Sequence, residues 1–163
     1  MDHIIRKAVP DDMPRILEIY AYARRFMAEH GNPHQWGDHH PREEQLWEDI
    51  RHGNLYVVAS NGYIHGVFAF ILGEDPTYAR IYDGAWNHDS PYGTIHRIAG
   101  DGSGRILHAC IVHCENVIGH LRIDTHHDNI VMQNAIRKEG FRECGIIYIA
   151  DGTPRIAYDR VSE

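Results

Sequence analysis

Residues 94–129 read TIHRIAGDGSGRILHACIVHCENVIGHLRIDTHHDN, and the fold turns on how this stretch is parsed. TIHRIA alternates branched and apolar residues, as a strand should. Gly100, Gly102 and Gly104 free the backbone to turn sharply and to bring several N–H groups to one point. A helix is expected from about Arg105, because Leu107, Cys110, Ile111, Cys114, Val117 and Ile118 keep the 3.6-residue period. LRIDT then reads as a second strand and HHDN as a polar loop. A glycine turn feeding a helix N-terminus makes an anion site, since unpaired N–H groups and the helix dipole face the same point. Its natural ligand is a phosphate or pyrophosphate. The rival reading is a glycine-rich turn that binds nothing. The spacing G-x-G-x-G excludes a P-loop, which needs lysine and serine or threonine, and does not match a dinucleotide fingerprint.

Outward from this unit, 163 residues suit one domain, residues 1–163, with enough chain to bury a core without staples. His3 to Lys7 reads as a first strand. Asp11 or Asp12 is expected to cap a helix with the buried stripe Ile16, Ile19, Tyr20, Ala23 and Met27. A short helix follows from about Arg42 to Ile50. LYVVAS, Asn61-Gly62 and YIHGVFAFIL form a hairpin signal, because Asn-Gly accepts positive φ at both turn positions. The segment 73–93 is polar, aromatic and turn-rich, with a short strand around Arg80–Tyr82. It leads into the central strand and so should sit near the site. Ile130 to Glu139 reads as a helix, and GIIYI and RIAYD as a closing hairpin.

Composition narrows the function classes. A net charge of −7, spread along the chain, argues against nucleic acid or an anionic membrane as partner. Fourteen histidines would carry the formal charge to +7 if all were protonated. Three cysteines give no disulfide framework. Neither a signal peptide nor an apolar run of membrane-spanning length is visible, so a cytoplasmic location is expected. Cys110, His113 and Cys114 converge on one helix face. Buried core cysteines are the commoner reading, and no metal is expected there. His39-His40 with Asp38 and His126-His127 with Asp128 are weaker metal pairs still.

IHRIA with its glycine turn, RIDTHHDN, NIVMQNAIRKEGF, CGIIYI and RIAYDR stand in an order that resembles the GNAT superfamily of acyl-CoA-dependent N-acetyltransferases. HQWGDHHP and YDGAW resemble a subgroup of small bacterial members. The resemblance implies a mixed α/β fold: a twisted, mostly antiparallel sheet of six or seven strands with about four helices, the central strands splayed to admit acetyl-CoA. It implies acetyl transfer to a small-molecule or peptide amine. The backbone near Ile98 and Ala99 would meet the thioester and hold the oxyanion. Gly100, Gly102, Ser103, Gly104, Arg105 and Ile106 would hold the pyrophosphate, and Asn129 the pantetheine arm or the next helix.

His96, on one strand face with Thr94 and Ile98, is the candidate base; a hydrogen-bonded core histidine is the alternative. His126 is a candidate proton shuttle against a solvated loop histidine, and Thr125 a packing and hydroxyl contact. Trp36, Tyr82 and Trp86 are candidates for the acceptor wall, against ordinary aromatic packing. Ile136 stands where the superfamily often has a tyrosine acid, which leaves the thiolate's proton donor open. A CoA-binding module without catalysis and a histidine-rich metal-binding protein are the rival functions. Polyamine, arylamine, amino acid, aminoglycoside and peptide N-terminus all remain open as acceptor, as does a homodimer.

Overall fold

The computed structural model describes residues 3–162. Seven strands form one sheet: β1 (Ile4–Lys7), β2 (Leu55–Ser60), β3 (Tyr63–Leu72), β4 (Gly93–Gly100), β5 (His120–Thr125), β6 (Arg142–Tyr148) and β7 (Pro154–Val161). Their spatial order is β1-β2-β3-β4-β5-β7-β6, and among the described residues β4 and β5 are the only parallel neighbours. Four helices cover the faces: α1 (Met13–Glu29), α2 (Glu43–Arg51), α3 (Ile106–Glu115) and α4 (Ile130–Lys138). One face carries α1 and α2 over Val67, Ala69 and Ala99. The other packs Phe68, Ile95, Leu121 and Ile123 beneath α3 and α4.

The hairpin between β2 and β3 forms on Asn61 and Gly62, both at positive φ, as their small or polar side chains permit. The helix of β4's crossover also forms, one residue later than its glycines suggest, with Arg105 at its N-cap. It stops at Glu115, so Val117 lies beyond it and is exposed rather than part of the buried stripe. Asp12 does not cap α1 with its side chain. A 3₁₀ turn at Pro10–Asp12 precedes the helix, and the Asp12 carboxylate takes Arg6 and the Val9 N–H instead. Around Arg80–Tyr82 the chain makes a single bridge, Tyr82 to Ile146, rather than a strand.

Two features of β4 shape the site. Its ladder with β5 holds only at Gly93–Leu121 and Thr94–Arg122, after which the strands diverge. A bulge also interrupts its pairing with β3, because Arg97 and Ile98 together oppose the single residue Phe68. The bulge reverses the side-chain alternation. His96 pairs with Ala69 on the α1–α2 face, whereas Ile98 packs on the α3–α4 core. The expectation that Thr94, His96 and Ile98 share one face therefore fails at Arg97, whose φ of 53° takes the backbone into the left-handed region.

Candidate active site

A left-handed arginine inside a strand is strained by roughly 1–2 kcal/mol, so its surroundings must hold it. Three contacts do. Arg97 donates from Nε and Nη2 to both oxygens of buried Asp49 on α2, at 2.9 and 3.0 Å. Its carbonyl accepts the Tyr20 hydroxyl at 2.6 Å. α1 and α2 thus clamp the bulge at the point where β4 leaves β5.

The divergence opens a cavity of about 770 Å³. Its floor is Ile95, His96, Ile98, Ile123, Asp124 and Thr125 from the two central strands. Trp36 and neighbouring loop residues wall one side, Asn129 and Met132 another, and Arg155 of β7 a third. His96 Nε2 lies 2.8 Å from Asp75 Oδ2. Asp75 sits below its ordinary value: burial pushes its carboxyl up, but the His96 bond and the Thr77 contacts outweigh it. An ionised Asp75 accepts the Nε2 proton, which leaves the lone pair of the neutral ring on Nδ1.

Asp124 accepts the Tyr78 hydroxyl at 2.6 Å. Burial raises the Asp124 carboxyl above its ordinary value and outweighs the opposing influence of His96, the Tyr78 bond and Arg155. His96, Asp75, Asp124 and Tyr78 therefore form one hydrogen-bonded and electrostatically linked group on the α1–α2 face. Sequence reading put segment 73–93 near the site without finding this group. The signal was Asp75-Pro76-Thr77, an Asp that caps a proline-started 3₁₀ turn through the Thr77 N–H.

The other expected residues divide. Asn129 lines the cavity and does two jobs: Oδ1 caps α4 at the Met132 N–H, and Nδ2 donates to Gln35 Oε1 at 2.9 Å. Thr125 lies at the cavity, with its hydroxyl 3.5 Å from the same oxygen. Gln35, not singled out in the sequence, ties the 30–42 loop to this end of β5. Tyr82 and Trp86 are not brought to the cavity. Tyr82 packs edge-on to Tyr148, and Trp86 covers Arg122 at 3.8 Å. His126 is buried beside α4, outside the cavity wall, and its Nδ1 accepts the Asp128 N–H. Burial lowers its pKa. Ile136 is fully buried in the α3–α4 core and has no proton to give.

The glycine loop ends at α3. Gly102, Gly104 and Arg105 all have positive φ, and a Cβ on Gly104 would meet nothing within 4 Å. Gly100 is needed for a different reason, since a Cβ there would lie 2.8 Å from Ile106. Ile106 itself is buried, so only its backbone faces the loop. Asp101 turns Oδ2 to Arg15 at 2.9 Å and His65 at 2.8 Å, while its Oδ1 accepts the Ser103 N–H at 3.0 Å within the loop. Ser103 and Arg105 remain exposed. The first N–H groups of α3 have no acceptor within the helix, so loop and helix fit a pyrophosphate.

Metal ligation finds less support. Cys110 and Cys114 are buried with their sulfurs 3.9 Å apart, and burial pushes the Cys110 thiol well up. His113 packs on Tyr56 instead. Among the described residues, His126, His127 and Asp128 bring ligand atoms within 4.8 Å of one another.

A GNAT-family acetyltransferase from Streptococcus agalactiae 2603 superposes on this chain with a TM-score of 0.88 at 31% identity, over 99% of this chain and 96% of its own. The chain therefore belongs to the GNAT family of acetyltransferases. At the level of fold alone it is similar to a GNAT-family acetyltransferase from Listeria monocytogenes 4b F2365 (TM-score 0.71, 17% identity, coverage 98% and 95%). An acetyltransferase from Staphylococcus aureus Mu50 gives 0.68 at 22% identity, covering 97% and 98%. No protein-family model and no curated protein matches the sequence.

Proposed function

We propose that residues 1–163 act as one cytoplasmic domain that moves the acetyl group of acetyl-CoA to a primary amine by direct attack, with His96 as base. The observation that carries this is the His96–Asp75 pair at the diverging strands. Asp75 occupies Nε2, so the free Nδ1 of a cavity-lining histidine is available to the amine. A neutral amine then attacks the acetyl carbonyl. His96 Nδ1 takes one proton from the bound ammonium before this attack; the C–N bond then forms, the C–S bond breaks, and the second proton that the nitrogen sheds as the amide forms passes through water to the leaving thiolate.

A bulge leaves one residue without a ladder partner, which supports a backbone N–H of the Ile98–Ala99 segment as oxyanion donor. The N–H groups of Gly102, Gly104, Arg105 and Ile106, the Ser103 hydroxyl and the Arg105 guanidinium would hold the pyrophosphate, the Asp101 and Ser103 N–H groups being taken by His65 and Asp101, and Asn129 would hold the pantetheine arm. His126 would serve at most as a distant shuttle, and Thr125 and Trp36 as acceptor contacts. The buried Ile136 favours a second reading, CoA binding without turnover. Three free cysteines accord with a reducing location, and among the described residues no helix is long and apolar enough to cross a membrane.

The test is acetyl-CoA-dependent thiol release across amines, followed by a pH–rate profile of His96→Ala and Asp75→Asn with acetyl-CoA affinity and Tm alongside. His96→Ala should lower turnover by about 10²- to 10⁴-fold with affinity kept. The loss should shrink at high pH, where the amine is already neutral. Asp75→Asn should lower turnover less, because the ring is present but its tautomer is no longer fixed. A folded His96→Ala protein with wild-type turnover from pH 6 to 9 sinks the assignment. Tight CoA binding without release on any amine selects the second reading.

A further inference from the structure

Arg155 lines the cavity and has no part in this reaction. It is only 6% exposed, yet it forms no ion pair among the described residues. The arginine ion pairs are Arg6–Asp12, Arg15–Asp101, Arg97–Asp49, Arg137–Glu143 and Arg160–Glu115. Arg122, similarly buried, is held between the rings of Trp86 and Tyr92 at 3.8 and 3.9 Å. Arg155 has neither a carboxylate nor a ring. Nη1 donates to Thr153 Oγ1 at 3.1 Å and to the Pro154 carbonyl at 2.8 Å; Nη2 reaches the Gln35 carbonyl at 3.4 Å. All three acceptors are neutral, and among the described residues Nε has none. The two acids nearest it by charge are engaged elsewhere: Asp124 with Tyr78, and Asp151 with the Thr153 N–H and hydroxyl.

A buried guanidinium without a counter-ion is costly, and it is retained where an anion comes to it. The anion here is separate from the cofactor's phosphates, which belong at the α3 N-terminus beyond Gly100. The opposite polarity lies across the same face. Asp124 pairs with Ala157 two residues along β7 from Arg155, and His96 stands across the gap. One cavity thus offers a base flanked by two carboxylates to an ammonium, and a guanidinium without a carboxylate partner among the described residues to a carboxylate.

We propose that the acceptor is an amino carboxylate, its amine at His96 and Asp124 and its carboxylate on Arg155. This rests on the amine-acetylation reading and narrows it to small zwitterions, away from polyamines, arylamines and aminoglycosides. Losing a charged hydrogen-bonded pair should cost roughly 10- to 100-fold.

The experiment compares α- and ω-amino acids with their own carboxamides and with the amines that lack the carboxyl group. Calorimetric binding to the CoA-loaded protein and thiol release are both measured, for wild type, Arg155→Gln and Arg155→Lys. The expected result is a wild-type preference for the acid over its amide of about 10- to 100-fold in affinity or kcat/KM. Arg155→Gln should abolish that preference through KM while CoA affinity stays unchanged, and Arg155→Lys should keep part of it. Amides or simple amines that match the acids in wild type overturn the proposal. So does a preference that survives in Arg155→Gln, or amino acids that neither bind nor react. Arg155-dependent binding of amino acids without acetylation would uphold the carboxylate site and refute the acetylation reading. Acetylation without carboxylate preference would do the reverse. Should Arg155→Gln fail to fold, the wild-type comparison and Arg155→Lys still decide.

Discussion

Arg97 offers a test of the bulge with an unusual sign. In an ordinary strand, glycine is less stable than alanine by roughly 0.5–1 kcal/mol, because it loses more backbone freedom on folding. At φ 53° the order should reverse. An L-residue there carries roughly 1–2 kcal/mol of strain that glycine does not. Set against the entropy term, Arg97→Gly should exceed Arg97→Ala in stability by roughly 0.5–1 kcal/mol. For a chain of this length each kcal/mol moves Tm by about 2–4 °C, so the gap should be a few degrees.

Both variants take the Arg97 guanidinium from Asp49 and leave it only the neutral Gln45 amide at 3.0 Å. Asp49 is 3% exposed, and orphaning one member of a buried pair costs about 3–5 kcal/mol. The comparison is therefore best made in an Asp49→Asn background, where no bare charge is left behind. The assay is paired thermal and urea denaturation of the two double variants. If alanine is as stable as glycine or more so, the left-handed bulge is wrong. The face reversal that separates His96 from Ile98 then falls with it.

Two further outcomes follow from particular groups. Gly104→Asp should weaken CoA binding more than Gly104→Ala does, since both incur the same φ strain at 93° but only Asp adds a negative charge at the α3 N-terminus; equal affinities, by titration calorimetry, would place the pyrophosphate elsewhere. His40, His113, His120 and His126 all lie below their ordinary value of 6.5 because burial disfavours the charged ring. The unfolded chain therefore binds more protons than the folded one, so their contribution is full above pH 6.5 and is lost as pH falls toward the folded values. His120→Asn should flatten the resulting decline of Tm between pH 7 and 5, and an unchanged slope would contradict its buried neutral state.

Most of the architecture was legible because it is periodic. Alternation announces β4 and β5, the 3.6-residue stripe announces α3, and Asn61-Gly62 announces its hairpin. Each is a local rule enforced by a buried face. What escaped is what breaks the rules. Nothing in IHRIA says that Arg97 will turn left-handed, because that conformation is imposed from outside the strand by Asp49, 48 residues away in the chain, and by Tyr20. An error of one residue in a period-two pattern moves a side chain to the other face. This is why Ile98 was expected beside His96 and is not.

The chemistry was less legible for a related reason. His96 stood out, being a titratable residue on a central strand. Its partner Asp75 lies in a turn, in a stretch where aspartates are common as caps. Trp86 and Tyr82 were expected at the acceptor wall because they sit in a loop that precedes a central strand, yet Trp86 is committed to Arg122. Whether an arginine is spoken for cannot be read from its own neighbours in sequence. Arg122 and Arg155 both sit in strands between apolar residues. The first is enclosed by rings from the 73–93 segment, and the second meets only neutral oxygens. The distinction exists only once β5 and β7 are paired and the cavity is open. That distinction, unlike the glycine turn, lies in the tertiary fold rather than in any local motif.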